Sequence, residues 1–269
     1  MSYRQPAFMV DNYMSSITDV AAAVLPTAQT AAISNSNKRA LVDGRVGSIG
    51  QFTATGVNPG IIFDTGSVLS VAANRLIFPA GHSGFSGKDL AIYHDSVISM
   101  ASPNLACLCA VSGSGVMDAV LTAGSERYWQ FIVYSAVVSD VFSLSGCWLG
   151  AYSQLSAAAA VAPDFVLGWQ SQQVETDYPG GVAVIEVAAP RRTFSLTVRD
   201  VDPASADYTL LDSVMQSREK SFWYWPPDDA TPGPFLVRLS KDAQRSQEFG
   251  APSQALRYKF SFEFLEDNL

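Results

Sequence analysis

The chain has 269 residues, of which 48% are hydrophobic and 16% are charged, and its formal net charge is -8 at pH 7. Nucleic-acid binding without sequence preference needs clustered Lys and Arg, so we expect no nucleic-acid partner for so acidic a chain. A membrane-spanning helix needs roughly 18 consecutive apolar residues, and the sequence has no apolar run near that length. Its N-terminus lacks the pattern of a secretory signal, so we expect neither membrane insertion nor a signal peptide.

Composition divides the chain into four stretches. Residues 1–37 are poor in charge and in turn residues, which predicts an N-terminal arm that orders against a neighbouring subunit, with disorder as the alternative. Residues 38–152 are long enough for one β-sandwich, and residues 153–163 form an Ala-rich linker or arm. Residues 164–269 make a second β-rich domain that carries one helix.

Short apolar segments rich in β-branched and aromatic residues follow one another along most of the chain, separated by Gly, Pro, Asn, Asp or Ser. This pattern predicts strands joined by turns. The predicted strands are residues 60–64, 75–79, 89–94, 128–135, 141–149, 181–187, 193–198, 235–239 and 255–265. The last of them alternates between apolar and polar residues, which is typical of a half-buried antiparallel strand.

One helix is predicted over residues 204–217. Tyr208, Leu211, Val214 and Met215 follow one another at helical spacing there, after the turn Asp-Pro-Ala-Ser. Many short strands with a single helix predict a mostly-β fold built from antiparallel sheets, as a sandwich or barrel, with the helix in the second domain.

The tetrapeptide Asp64-Thr65-Gly66-Ser67 follows an apolar strand and resembles the active-site loop of pepsin-family aspartic proteases. In those enzymes two Asp carboxylates share one proton, and Asp64 is the catalytic candidate under this hypothesis. The chain has no second Asp-Thr-Gly or Asp-Ser-Gly, so a second subunit would have to supply the partner carboxylate. In the alternative, Asp64 and Gly66 form a turn between two core strands.

The three cysteines are an odd number, so they do not form a disulfide framework. Neither of the two histidines, His82 and His94, lies at metal-ligand spacing from a cysteine. We therefore predict buried free thiols, and neither a metal site nor a cofactor.

The run Phe222-Trp223-Tyr224-Trp225 precedes two prolines. If the run is exposed, these four residues form an interface hot spot for a partner subunit. The alternative is a core strand that ends at the prolines.

Several longer patterns resemble the discoidin, or galactose-binding-like, β-sandwich. They are L-V-D-G-R-V-G-S-I-G-Q-F-T from residue 41, P-G-I-I-F-D-T-G-S-V-L-S-V-A-A-N-R-L-I-F from residue 59 and S-E-R-Y-W-Q-F-I-V-Y from residue 125. This resemblance implies a galactose-binding-like jelly roll over residues 38–152, and by analogy of fold a sugar site in its early loops. The candidate sugar contacts are Asp43, Arg45, Phe52 and Asn58.

The wider layout resembles minor tail or baseplate proteins of tailed bacteriophages, with distal tail proteins as the nearest role. V-F-S-L-S-G-C-W-L-G from residue 141, D-F-V-L-G-W-Q from residue 164 and the C-terminal Y-K-F-S-F-E-F-L-E-D carry this resemblance. It implies a non-enzymatic structural component of the virion tail, made in the host bacterial cytoplasm. Such a subunit assembles with copies of itself in a symmetric ring and with other tail proteins. The alternatives are a module for host-surface glycans and a homodimeric aspartic protease.

Overall fold

The computed structural model describes residues 5–14, 24–26, 31–32, 40–41, 49–111, 115–157, 160–161, 166–178, 181–217, 220–227, 233–240, 243–248 and 256–267. The chain divides into two compact units. The sandwich unit is Asp11–Tyr152, and the C-terminal unit combines Met1–Val10 with Ser153–Asn268.

The described residues contain strands throughout, and an α-helix lies in the C-terminal unit. The strands are β1 (Ala7–Met9), β2 (Val24–Pro26), β3 (Ala31–Ala32), β4 (Gly50–Ala54), β5 (Gly60–Asp64), β6 (Ala73–Phe78), β7 (Asp89–Asp95), β8 (Asn104–Ala110), β9 (Met117–Gly124), β10 (Tyr128–Tyr134), β11 (Val141–Leu144), β12 (Trp148–Gly150), β13 (Ser153–Gln154), β14 (Ala160–Val161), β15 (Val166–Tyr178), β16 (Gly181–Val201), β17 (Phe222–Trp225), β18 (Phe235–Leu239), β19 (Gln244–Glu248) and β20 (Arg257–Glu266). The helix, α1, is Ala206–Gln216.

The sandwich unit is built from antiparallel sheets around one core. One sheet has the order β2-β5-β10-β7-β8, and two smaller sheets have the orders β11-β4-β3 and β12-β6-β9. Phe63 and Phe131 of the first sheet lie with their ring centroids 4.4 Å apart, and the Phe78 ring of β6 lies 6.0 Å from Phe131. The predicted mostly-β antiparallel sandwich is therefore confirmed.

Strand β5 lies in the interior of its sheet, and its sequence explains this position. All five of its residues are buried, and it pairs with β2 on one side and β10 on the other. A strand covered on both faces is read from sequence as a continuous apolar run, as Ile61, Ile62 and Phe63 are. This strand places Asp64 at one end of the sandwich.

The C-terminal unit holds one antiparallel sheet of order β13-β1-β17-β18-β20-β16-β14, with β15 also paired to β16 and β19 to β20. Residues 7–9 of the predicted N-terminal arm thus form a strand of this sheet, and residues 153–154 of the predicted linker pair with them. The apolar face of the sheet is packed with Phe194, Phe260 and Phe264, among others.

Helix α1 packs against this same core, and the predicted helix is confirmed. Leu211 and Val214 are its buried residues. Ser205 caps its N-terminus, because the Tyr208 N–H donates to the Ser205 Oγ at 3.1 Å.

Three predicted strands have different extents in the structure. The predicted strand 141–149 is two strands, β11 and β12, because the chain turns at Gly146 with a φ of +96°. The predicted strands 181–187 and 193–198 are one long strand, β16. Among the described strands, β20 pairs with β16 only from Thr193 to Val201, so residues 181–192 of β16 pair with β15 alone. We call residues 169–178 and 181–192 the ribbon.

Candidate functional site

Asp64, the protease candidate, ends β5 and is held by an arginine. The Arg127 Nε lies 2.6 Å from Asp64 Oδ1, and the Arg127 Nη2 lies 2.8 Å from Oδ2. The Gly66 N–H also donates to Oδ1 at 2.8 Å, and Gly66 has a φ of +80°. The paired carboxylate raises the pKa of Arg127. Both carboxylate oxygens of Asp64 are thus engaged in fixing a turn, as the structural alternative describes.

Of the four candidate sugar contacts in the early loops, the structure describes Phe52 and Asn58. Asp43 and Arg45 lie outside the described residues. Phe52 is 3% exposed and its ring stacks on Phe142 at 5.0 Å, so its prediction as a ligand contact is wrong because the ring belongs to the core. Asn58 is exposed, but its Oδ1 accepts the Ser135 N–H at 3.1 Å and so ties two loops together.

The aromatic run at 222–225 is inside the C-terminal unit. It forms β17, which pairs with β1 on one side and β18 on the other. Phe222, Trp223, Tyr224 and Trp225 are each at most 1% exposed. The prediction that they contact a partner subunit is therefore wrong, and the run is the core strand that the alternative describes.

The structure instead exposes a different aromatic residue, Trp169. Its side chain is 62% exposed. Among the residues whose exposure the structure describes, no other aromatic side chain is as accessible. Trp169 lies opposite Arg192 on the neighbouring strand, and Leu167 lies opposite Phe194. Because residues two apart on a strand share a face, Trp169 lies on the same side of the sheet as the buried Phe194. It is one row beyond the end of the apolar core.

Arg192 is fixed between Trp169 and two further residues. Its guanidinium carbon lies 5.4 Å from the Trp169 ring centroid and 4.9 Å from that of Phe235. Its Nη1 lies 3.5 Å from Glu266 Oε1, and its backbone N–H donates to Glu266 Oε2 at 3.3 Å. We call Trp169, Arg192, Phe235 and Glu266 the Trp169 face.

The Trp169 face combines an open indole with charged hydrogen-bonding groups beside it. An indole offers a large, rigid apolar surface, and a guanidinium and a carboxylate supply donors and acceptors in fixed directions. Such a surface suits a small molecule that has one apolar face and a rim of hydroxyl groups.

The sequence interpretation did not identify the Trp169 face. One signal was available, because Trp169 is followed by Gln170-Ser171-Gln172-Gln173, where a strand of the core would continue with apolar residues. The exposure itself depends on where β20 stops pairing with β16, which sequence periodicity does not give.

The cysteines give no evidence of a metal site. Cys147 is buried as predicted, whereas Cys107 and Cys109 are only half-buried, so the prediction of three buried thiols is wrong for these two. Burial and the neighbouring Cys107 raise the pKa of Cys109 to about 12. Within the described residues no group of three or more His, Cys, Asp or Glu could hold a metal ion. No helix in that part of the chain is long and apolar enough to cross a membrane.

The sequence matches no protein-family profile and no curated protein. Solved structures resemble it at low identity. The CBM32 of AlyQ in complex with 4,5-unsaturated mannuronic acid is 18% identical, with 47% of this chain and 92% of that chain covered and a TM-score of 0.36. CpGH89CBM32-5 from Clostridium perfringens, in complex with GalNAc-β-1,3-galactose, is 9% identical, with coverages of 48% and 95% and a TM-score of 0.38. Chitosan-binding module 1 from the chitosanase/glucanase of Paenibacillus sp. IK-5 is 16% identical, with coverages of 50% and 100% and a TM-score of 0.37. At these values the likeness says nothing about a ligand of this chain.

Proposed function

We propose that the chain is a carbohydrate-binding protein and that the Trp169 face holds the sugar. The observation that carries this proposal is the 62% exposed Trp169 side chain beside the Arg192–Glu266 ion pair. The C–H groups on one face of a pyranose ring pack well on an indole, and its hydroxyl groups hydrogen-bond to charged planar groups. Host-surface glycans are the source that the sequence resemblance suggests.

The test is binding of the purified full chain to an array of immobilised glycans. We expect saturable binding to a subset of glycans by the native chain and its loss in Trp169→Ala. Val166→Ala is the matched control, because Val166 is 54% exposed on the same strand and faces the opposite side. Binding that is absent in the native chain, or equal in both variants, would contradict the proposal.

A second function, a structural subunit of a phage tail, is favoured by a separate apolar surface. Val57, Val137 and Val138 are each more than half exposed in the loops β4–β5 and β10–β11. These loops are held together, because the Asn58 N–H donates to the Ala136 carbonyl at 3.4 Å. Adjacent exposed apolar side chains of this kind mark contacts with other proteins.

In this second proposal the chain is a non-enzymatic virion protein of the tail tip or baseplate. It assembles with copies of itself in a symmetric ring and with other tail proteins, and it is made in the host bacterial cytoplasm. The low charged fraction of 16% supports large buried interfaces.

Light scattering at high protein concentration tests this second function. We expect a closed assembly larger than a dimer for the native chain. Because polar side chains weaken an apolar contact, Val137→Ser with Val138→Ser should reduce its mass. A native chain that never exceeds a dimer would contradict the ring.

A further inference from the structure

The ribbon leaves one edge of β16 without a described partner. β15 pairs with β16 from Gly181 to Ser195, and β20 pairs with the other edge of β16 only from Thr193 onward. Over residues 181–192, that second edge has no pairing among the described strands. An unpaired strand edge presents a row of N–H and C=O groups to any chain that can align with it.

We also expect the ribbon to be stabilised by contact with another protein chain. A two-stranded ribbon is at best marginally stable by itself in water. The sequence of β16 over residues 182–189 is V-A-V-I-E-V-A-A, apolar except for Glu186. Near-continuous apolar sequence is typical of a strand that is covered on both faces.

Charge favours a second copy of the same ribbon as the partner. At the far end of the ribbon, Asp177 pairs with Val182 and Glu175 with Val184. At the near end β16 carries Arg191. Two ribbons aligned antiparallel along β16 bring the basic end of each near the acidic end of the other, whereas a parallel alignment brings like charges together.

Arg191 carries the charge at the basic end of this edge. It pairs with Gln170 across the ribbon, and its Nε is buried with no hydrogen-bond partner among the described residues. Pro190 has no N–H to donate, so a backbone ladder along this edge would run over residues 181–189.

We propose that two copies of this chain pair, antiparallel, through the edge of β16 that has no partner among the described strands, and form a four-stranded sheet of order β15-β16-β16-β15. The contact is two-fold symmetric and closes on itself, so it produces a dimer or a larger assembly that contains two-fold axes. The proposal is independent of sugar binding, since the paired stretch lies beyond the row of Trp169 and Arg192.

The test is a charge exchange on the full chain, with molar mass measured by light scattering at low ionic strength. We expect an even number of subunits for the native chain. Asp177→Lys and Arg191→Glu should each raise the dissociation constant at least tenfold, and the double variant should recover most of that loss. A native chain that stays monomeric would overturn the proposal. So would a double variant that associates with itself more weakly than both single variants.

Hydrogen exchange keeps the proposal testable if a variant folds poorly. In the native chain, the amides of residues 181–189 should exchange more slowly as protein concentration rises, because pairing protects them. The amides of β5 serve as the control, because that strand already has partners on both sides. Exchange at 181–189 that does not depend on concentration would contradict pairing.

Discussion

Arg127 and Arg192 each pair with a carboxylate, but their surroundings give the two pairs different roles. Asp64 is buried, and its carboxylate accepts hydrogen bonds from the Arg127 guanidinium and from the Gly66 N–H. This pair therefore holds a turn of the sandwich unit. Arg192 lies against the open Trp169 ring. The first pair contributes to folding, and the second provides a surface on which a ligand can rest.

At the Asp64 turn, we expect Asp64→Asn to lower the melting temperature of the chain. An amide keeps the shape of the side chain, but it replaces one of the two oxygens that accept from Arg127 with an NH2 donor and loses the charge that strengthens both hydrogen bonds. Thermal unfolding followed by circular dichroism measures the change. Asp118→Asn is the comparison, since the Asp118–Arg75 contact is longer, at 3.2 Å. A melting temperature unaltered by Asp64→Asn would contradict the structural role.

Asp140 makes stability depend on pH. The Lys88 ammonium at 2.8 Å, helped by the Val137 N–H, lowers the pKa of Asp140 below the ordinary 3.8. A carboxyl whose pKa is depressed by folding stabilises the fold above its unfolded pKa, and this contribution is lost as pH falls through the folded pKa. We expect the melting temperature to decline below about pH 4. The difference between the native chain and Asp140→Asn should be present at pH 7 and vanish in strong acid. A difference that is constant with pH would refute this assignment.

At the scale of elements, β20 organises the core of the C-terminal unit. Its Phe264 is fully buried, and its ring contacts those of Phe8, Phe222 and Tyr224 at centroid distances of 6.1, 5.7 and 4.8 Å. These rings come from β1, β17 and β20, which are far apart in sequence. The packing therefore joins the N-terminal strand to the C-terminal half of the chain.

Phe264→Ala should lower the free energy of unfolding of the C-terminal unit by about 3–5 kcal/mol, because it leaves a cavity among these rings. Glu263→Ala is the matched control, since Glu263 is exposed on the other face of the same strand. We expect the control to change the free energy by less than about 0.5 kcal/mol. Denaturant titration gives both values, and equal effects of the two variants would show that β20 does not pack as described.

The sequence predicted the bounds of strands in which turn residues flank an apolar run, but it did not predict which side chains are exposed to solvent. β5 and β18 begin and end where turn residues flank apolar runs, so the sequence located both at their observed bounds. The run at 222–225 is apolar at every position, so its pattern does not distinguish a core strand from an exposed hot spot. Only the pairing with β1 and β18 decides that question. Trp169 is the converse case, because its exposure follows from the end of the β16–β20 ladder.

At the scale of the whole molecule, the first residues of the chain belong to the C-terminal unit. β1 pairs with β13 on one edge and with β17 on the other. Its Phe8 is fully buried, with its ring 5.3 Å from that of Tyr224. The first residues are therefore part of a core, a role that their sequence composition did not indicate.

Deletion of residues 1–10 should therefore destabilise the C-terminal unit selectively. Without β1, the outer edge of β17 loses its ladder and its rings lose Phe8. We expect faster hydrogen exchange at the amides of Phe222–Trp225 in the truncated chain, and unchanged exchange in β5 of the sandwich unit. Equal acceleration in both units, or none in β17, would contradict the division described above.

The most direct test of the sugar-binding account is calorimetric titration of the native chain and Trp169→Ala with the glycan that the array selects. We expect the native chain to bind and the variant to lose at least tenfold in affinity, which is about 1.4 kcal/mol. The melting temperature should not change, because the Trp169 side chain is exposed. Equal affinity in the two proteins would show that the Trp169 face is not the sugar site.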